Sequence, residues 1–308
     1  MHYTIHQLRI FQKIVELRSI TKASEELNLT QPAVSIQLKN FQDQFPIPLT
    51  EVTGRKLYIT DFGEEIAIAA RKILKEVREI DYRTLAFQGK LSGKLKIASA
   101  STGKYVIPYF LSSFLKEHPD IELAINVTNK SKVISSLEKN EVDFALVSVM
   151  PKKLKLHSIK LMPNSLYLIG NKDFDSSKQN RKRELFEKKP LIYREQGSAT
   201  RNAMESFILR RQYTVHNKLE LMSNEAVKQA VIAGLGLSIM PLIGIKNELK
   251  NNDLQIIPSR GLPIHTDWNL VWLKSKKLSP VASAYLDYLD KHKKEIILKN
   301  FEWINDYN

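Results

Sequence analysis

The stretch from Ser19 to Phe41 restricts the fold more than any other, because it predicts two short helices joined by a tight turn. Thr21 is suited to cap a first helix that runs to Leu27, and Thr30 is suited to cap a second helix whose first turn accepts Pro32. We therefore expect a helix-turn-helix. This motif occurs in DNA-binding proteins and also in ordinary helical domains, so its spacing alone leaves both interpretations open.

The second helix has an apolar face and a polar face. Val34, Leu38, Phe41 and Phe45 recur at the spacing of one helical stripe, which must face a core. The opposite face carries small polar groups and one cation, which suit the reading of base edges in a major groove and contact with phosphate. The candidate DNA-contact residues of this helix are Thr30, Gln31, Pro32, Ser35, Ile36 and Lys39.

A hairpin is predicted after the second helix. Pro48–Val52 and Leu57–Ile59 are suited to form two short strands, with Gly54 in the turn between them. Arg55 and Lys56 would then lie exposed at the tip of this wing. Two cations at a hairpin tip suit contact with phosphate or with a minor groove, which favours the DNA-binding interpretation.

Residues 11 to 63 also contain a set of signature positions in a fixed order. They are Phe11, Ser19, Ala23, Leu27, the run Gln31-Pro32-Ala33-Val34-Ser35, Leu49, Gly54-Arg55, Leu57, Thr60 and Gly63. Together they resemble the winged helix-turn-helix of LysR-type transcriptional regulators. The resemblance implies that Gln31, Pro32 and Ser35 contact bases and that Arg55 or Lys56 contacts the DNA backbone. It also implies that the partner is double-stranded promoter DNA with an interrupted palindrome.

A long helix is predicted from Asp61 to about Gln88, because Thr60 can cap it and no proline interrupts it. Its apolar residues form one narrow seam, which suits pairing with a second copy of the helix. A helix packed on its own domain is the alternative. We expect a homodimer, whose twofold symmetry presents two DNA-binding heads to a palindrome. The candidate dimerisation residues are Ile66, Ala70, Ile73, Val77 and Ile80. The resemblance adds a homotetramer and contact with RNA polymerase as expectations.

Strands alternate with helices after a glycine-flanked linker at residues 89–93. The order βαβαβ from Lys94 to Val149 predicts a parallel sheet, and a second set of strands begins at Ser165–Ile169. A late strand, Leu270–Leu273, should return to the first set. The chain would then cross twice between two α/β lobes and form a hinged cleft.

The predicted fold class is α/β, with an N-terminal winged helix-turn-helix, a long linker helix and a C-terminal two-lobed effector domain. The predicted boundaries are 1–60 for the DNA-binding domain, 61–92 for the linker and dimerisation helix, and 93–308 for the effector-binding domain. Within the last, lobe I covers about 93–163 and 266–308, and lobe II covers about 164–265.

Small and hydroxyl-bearing residues follow the predicted strands where each strand ends and a helix begins. Ligands of such sheets bind outside the carboxyl ends of the strands, where helix N-termini offer free N–H groups, so we expect a small anionic metabolite. The alternative for each single cluster is a helix cap. The candidate effector-binding residues are Ser101, Thr102, Gly103, Thr128, Ser148, Ser198, Ala199, Thr200 and Asn224.

The runs Arg194–Arg201 and Ser223–Val231, followed by Gly234 and Gly236, are similar to the effector domain of LysR-type regulators, which itself resembles periplasmic binding proteins. The similarity is greatest to the branch that regulates carbon fixation and sulfur metabolism. That branch often has glycine where this chain has Ala199, whose methyl group would narrow the approach of an anion.

Composition excludes several kinds of site. With no cysteine in 308 residues, there is no disulfide, no thiolate metal site and no thiol redox sensor. None of the 7 histidines belongs to a His-Glu-x-x-His motif, so we expect no metal and no cofactor. No apolar run reaches the ~18 residues of a membrane span and no signal segment opens the chain, so we expect a cytoplasmic protein without membrane contact.

The net charge of +14 lies mostly beyond Gly93, outside the predicted DNA-binding region. A dispersed positive charge is commonly a solvated surface, and it also favours an anionic ligand or non-specific DNA, so both interpretations stay open.

Two other classes of protein share an α/β cleft with such a regulator. An enzyme with an α/β cleft would need a catalytic motif, and the chain has no Gly-x-Ser-x-Gly, phosphate loop, Gly-x-Gly-x-x-Gly or His-Glu-x-x-His. We therefore expect no enzymatic activity. A small-molecule receptor without a DNA role is the second rival, and the amino-terminal helix-turn-helix argues against it.

Overall fold

The computed structural model describes residues 2–54, 56–87, 90–175 and 182–307. The chain divides into two compact units, Met1–Lys90 (unit 1) and Leu91–Asn308 (unit 2). Among the described residues, no helix is both long enough and apolar enough to cross a lipid bilayer.

Unit 1 consists of helices and one antiparallel hairpin. The helices are α1 (Ile5–Leu17), α2 (Ile20–Leu27), α3 (Gln31–Gln42) and α4 (Asp61–Phe87), and the strands of the hairpin are β1 (Thr50–Thr53) and β2 (Lys56–Ile59). The helix-turn-helix is α2 followed by α3, and the predicted wing is the hairpin β1–β2.

Side-chain caps set the starts of the helices in the helix-turn-helix. Ser19 Oγ accepts a hydrogen bond from the Lys22 backbone N–H at 3.3 Å, so Ser19 caps α2. The expectation that Thr21 is the cap is wrong, because α2 begins before Thr21 and this residue lies inside its first turn. Thr30 caps α3 as predicted, accepting from the Ala33 backbone N–H at 3.4 Å.

One apolar core holds unit 1 together. Its fully buried members include Phe11, Val34, Phe41 and Leu49, and the first half of α4 adds Ala67, Ala70 and Leu74. Gly63 in α4 lies so close to the wing that a Cβ there would overlap the Leu49 carbonyl oxygen. The first half of the long helix is therefore part of the core that positions α3.

Unit 2 is built on a seven-stranded sheet and a smaller two-stranded sheet. Its strands are β3 (Gly93–Ala100), β4 (Ile121–Thr128), β5 (Phe144–Val147), β6 (Leu156–Asn171), β7 (Leu191–Arg194), β8 (Lys218–Leu221), β9 (Ser238–Pro241), β10 (Leu254–Ile256) and β11 (Ile264–Leu273). Its helices are α5 (Ile107–Glu117), α6 (Lys130–Glu138), α7 (Lys182–Lys188), α8 (Ala199–Arg210), α9 (Asn224–Ile232), α10 (Lys246–Lys250) and α11 (Pro280–Phe301), with 3-10 segments at Ser101–Tyr105, Leu242–Gly244 and Glu302–Tyr307.

The sheet order divides unit 2 into two lobes. Lobe I contains β3 flanked by β4 and β5, and both pairs are parallel, as the alternation of strands and helices predicts. Lobe II contains the parallel pair β7–β8, with β9 and β10 pairing antiparallel to β6.

Two long antiparallel strands, β6 and β11, join the lobes. The predicted double crossing is therefore present, but both strands start earlier than expected. The first begins at Leu156 rather than at Ser165, and the second begins at Ile264 rather than at Leu270. The predicted lobe boundaries, 163/164 and 265/266, fall inside the paired region.

Candidate functional site

The polar face of α3 is exposed, as predicted. Gln31, Pro32 and Lys39 are exposed, and Ile36 has 57% of its surface accessible. Gln31 Nε2 donates a hydrogen bond to Ser35 Oγ at 2.9 Å, one helical turn away. The two polar groups best suited to read base edges are therefore held together on one surface.

The wing is tied to α3 by a contact that the sequence did not reveal. Gln42 Oε1, at the end of α3, accepts hydrogen bonds from the Thr50 backbone N–H at 3.0 Å and from Thr50 Oγ1 at 2.9 Å. At the other end of the wing, Gly54 turns with φ of 55°, and Lys56 is exposed beside it. Arg55, the other predicted backbone contact, lies outside the described residues.

The predicted dimerisation seam on α4 is split between the core and the surface. Ala70 has only 1% of its surface exposed and packs inside unit 1, so its assignment to a dimer contact is corrected. Its helical position faces the core that α4 shares with α1. Ile66 is half-buried against the same core. Ile73 and Ile80 are 39% and 65% exposed, and Val77 between them is half-buried, so these three remain candidates for a partner surface.

Strand pairing brings the lobe I candidates to one edge of the sheet. Ala100 pairs with Thr128, which places Thr128 beside Ser101 at the start of the next segment. Ser99 pairs with Leu146, so β5 also ends at this edge, with Ser148 just beyond. The sheet topology therefore gathers three of the predicted turns where ligands of parallel sheets bind.

Most of the predicted hydroxyls are not helix caps. The cap of α6 is Asn129, whose Oδ1 accepts from the Lys132 N–H at 3.0 Å, so Thr128 is left free of that role. Ser198 stands at the N-cap position of α8 but makes no side-chain capping bond. The segment that contains Ser101 and Thr102 also begins without a side-chain cap. The capping alternative therefore fails for these four residues.

The candidate effector-binding residues differ in burial. Thr102, Ser198 and Thr200 are buried, whereas Ala199 is half-buried at the start of α8. Gly103 is buried as well, but a Cβ there would overlap the Ser99 hydroxyl, so its structural role is close packing under the strand end.

Asn224 lies at a contact between the lobes. It is 2% exposed, and within the described ranges neither atom of its side-chain amide has a hydrogen-bond partner. Its neighbour Ser223 caps α9, accepting from the Ala226 N–H at 3.0 Å. The Asn224 amide nitrogen and the Tyr105 ring both lie within 3.2 Å of the point that a Cβ on Gly244 would occupy. Tyr105 comes from lobe I, and its hydroxyl is also buried without a partner in this part of the chain.

Arg194 contacts the predicted site residue Ser101, although the sequence gives no reason to select Arg194. It ends β7, has 3% of its surface exposed, and forms a bidentate ion pair with Glu195 at 2.8 and 2.9 Å. Its Nη2 also donates to Ser101 Oγ in lobe I at 3.0 Å. The only signal in the sequence is a charged pair that directly follows an apolar strand, and this pattern is common at strand ends.

Positive charge also gathers beside the lobe I edge. The pKa of Lys130, the first residue of α6, is lowered from its ordinary value, first by burial and then by repulsion from Lys152. A helix N-terminus flanked by lysines that repel each other favours an anion. Among the described residues, no group of three or more histidine, aspartate or glutamate side chains could hold a metal ion.

Two family descriptions match the chain. They are "Bacterial regulatory helix-turn-helix protein, lysR family" over residues 5–64 and "LysR substrate binding domain" over residues 88–294.

Similar proteins match over nearly the full length. The chain is 35% identical to the HTH-type transcriptional activator CmpR of Synechocystis sp., with 94% of this chain and 95% of CmpR covered. It is 34% identical to the RuBisCO operon transcriptional regulator of Allochromatium vinosum, with 94% of this chain and 96% of that protein covered. The structure of the Synechocystis PCC6803 CcmR regulatory domain in complex with 2-PG has a TM-score of 0.62 and 32% identity, covering 66% of this chain and 98% of that chain.

Proposed function

The chain belongs to the LysR family of DNA-binding transcriptional regulators, and on that premise we propose that a small anion bound in the cleft of unit 2 controls how it binds promoter DNA. The RuBisCO operon regulators among its relatives confirm the predicted resemblance to the carbon-fixation branch. Such control is a matter of binding, and it requires neither catalysis nor a cofactor.

One observation carries the proposal for the cleft. Hydroxyl groups at the strand ends are buried or half-buried and do not cap helices, as shown by Ser101, Thr102 and Ser198. The O–H of a hydroxyl group that caps no helix remains available to donate, so its presence at two turns of one cleft, residues 101–102 and Ser198, favours a ligand that supplies acceptors.

The nature of the ligand follows from the donors. Hydroxyl groups, helix N-termini and the Arg194 guanidinium all favour phosphate or carboxylate oxygens. The related CcmR domain was solved with 2-PG, which carries both groups, and this supports 2-phosphoglycolate as the first compound to test on this chain.

For the DNA side, we propose that α3 enters the major groove of a promoter that contains an interrupted palindrome. Gln31, Pro32 and Ser35 would lie against bases, with Thr30, Ile36 and Lys39 around them and Arg55 and Lys56 on the backbone. A homodimer through the exposed part of α4, assembled into a homotetramer, would present the paired heads. Contact with RNA polymerase and a cytoplasmic location complete the proposal.

Thermal denaturation of the full chain tests ligand control. 2-Phosphoglycolate, inorganic phosphate or sulfate should raise the melting temperature, because a ligand at 100 times its Kd adds about 2.7 kcal/mol to the stability of the folded state. Thr102→Val and Thr200→Val should each abolish the shift, since they keep the shape and remove the hydroxyl. Thr214→Val, at an exposed loop position, is the matched control. If both cleft variants bind the ligand as tightly as the parent, the cleft assignment is wrong.

A further inference from the structure

We infer that Arg194 and Ser101 together form the charged centre of the effector site, and that Glu195 sets its affinity by competing with the ligand for Arg194. This inference rests on the proposed control by an anion. It adds a cation that binds the ligand directly and a carboxylate that opposes binding.

The hydrogen bonds of Arg194 leave one nitrogen free. Nε and Nη2 are engaged by the two oxygens of Glu195, and Nη2 also donates to Ser101 Oγ. Nη1 is buried and has no partner among the described residues. An unpaired guanidinium nitrogen in the protein interior is costly, and an oxyanion is the acceptor that it binds most strongly.

Ser101 supplies a second donor at the same place. Its oxygen accepts from Arg194, so its own O–H remains available to donate. An anion that accepts from Arg194 Nη1 and from the Ser101 hydroxyl would be held by one residue of each lobe. Because such a ligand binds best when the lobes are together, it shifts the population towards the closed cleft.

Two neighbouring contacts, one made by Arg201 and one at Gly197, keep Arg194 in place. Arg201 Nη1 donates to the Arg194 carbonyl oxygen at 3.0 Å and ties α8 back to the end of β7. A Cβ on Gly197 would come within 2.8 Å of Ser131 Oγ in lobe I, so the loop after Glu195 has little room to move. Arg194 is therefore held in position before the ligand binds, which lowers the cost of binding.

Glu195 has two effects on this centre. It compensates a buried cation, which would otherwise destabilise the fold. It also cancels the charge that an incoming anion needs, so the same contact lowers the affinity for the ligand. If the ion pair were purely structural, replacing either residue would change only the stability of the fold. If Glu195 competes with the ligand, loss of Arg194 lowers the ligand affinity and loss of Glu195 raises it.

Isothermal titration calorimetry on the full chain, with 2-phosphoglycolate and with inorganic phosphate as probes, tests the assignment. Arg194→Met should weaken binding by at least about tenfold, the effect of losing one charge-assisted hydrogen bond. Glu195→Gln should strengthen binding several-fold. Glu187→Gln, which removes the carboxylate from the exposed Arg183–Glu187 pair on α7, is the control and should leave affinity unchanged.

The opposite sign of the two changes keeps the test independent of misfolding, because a damaged protein cannot bind more tightly. If the parent binds and Glu195→Gln does not strengthen that binding, the competing role of Glu195 is wrong. If Arg194→Met remains folded by circular dichroism and binds like the parent, the direct contact is wrong. If the parent binds neither probe, the proposed control by an anion fails, and this assignment fails with it.

Discussion

The pair Gln31 and Ser35 offers the sharpest test of DNA recognition by this chain. Both are replaced singly by alanine and then together. Each lost base contact should reduce discrimination between target and random DNA by about 1–3 kcal/mol. Because Gln31 Nε2 donates to Ser35 Oγ at 2.9 Å, either single change also releases the other side chain. The double variant should therefore lose less than the sum of the single losses, by about 0.5–1.5 kcal/mol, the worth of one neutral hydrogen bond.

Fluorescence anisotropy at one fixed salt concentration measures the effect, with a target fragment found by genome-wide mapping of bound sites and a random fragment of equal length. Lys56→Ala should weaken binding to both fragments alike, because a phosphate contact carries no sequence information. Asn247→Ala, an exposed amide in unit 2, is the control. The reasoning is refuted if Gln31→Ala and Ser35→Ala leave the ratio of the two affinities unchanged.

Two further predictions concern unit 1. Ile73→Asp combined with Val77→Asp should make the fragment 1–90 monomeric in sedimentation, because a dimer would bury four unpaired charges at its seam, two from each chain. Ile68→Asp, on another face, should leave the fragment dimeric. If the doubly substituted fragment is still dimeric, the pairing lies elsewhere. Gly63→Ala should lower the free energy of unfolding in urea by about 1–3 kcal/mol, because its methyl group overlaps a backbone carbonyl. Gly54→Ala, which meets no neighbouring atom but has φ of 55°, should cost less than Gly63→Ala, at most about 1 kcal/mol, and equal losses would contradict the packing argument.

Local patterns were enough to predict the helix-turn-helix and the parallel half of unit 2. The stripe of Val34, Leu38 and Phe41 is buried as its spacing requires. The cap of α2 was misplaced because Ser19 and Thr21 are both good capping residues, and the choice depends on where the chain enters the helix.

The first half of the long strand β6 was missed for a different reason. Pro163 and Asn164 look like a turn in the sequence, yet both lie within the strand and pair with β11. This pairing is a long-range contact, so no local pattern reports it. The dimer seam failed at Ala70 because periodicity identifies an apolar face without saying which partner covers it.

The effector site was only partly visible in the sequence. The hydroxyl-rich turns could be found because they follow strands in a regular order. Arg194 could not, since its significance depends on Ser101, which is 93 residues away in the chain and meets it only across the cleft. The Asn224 amide has no hydrogen-bond partner in the part of the chain that the structure describes, and this too depends on burial at a junction between lobes, which has no sequence pattern.

The shared core of α3 and α4 has a consequence for operator geometry. Since Ala67, Ala70 and Leu74 pack the long helix into a core with α1, which in turn packs against the recognition helix, the head cannot swivel on its support without breaking that core. In the proposed dimer, the distance and phase between the two grooves would be fixed by the protein. One added base pair moves a half-site by about 3.4 Å and rotates it by roughly a tenth of a turn. The DNA would have to bend or twist to accommodate any such insertion. The dimer would therefore select operators by the spacing of their half-sites.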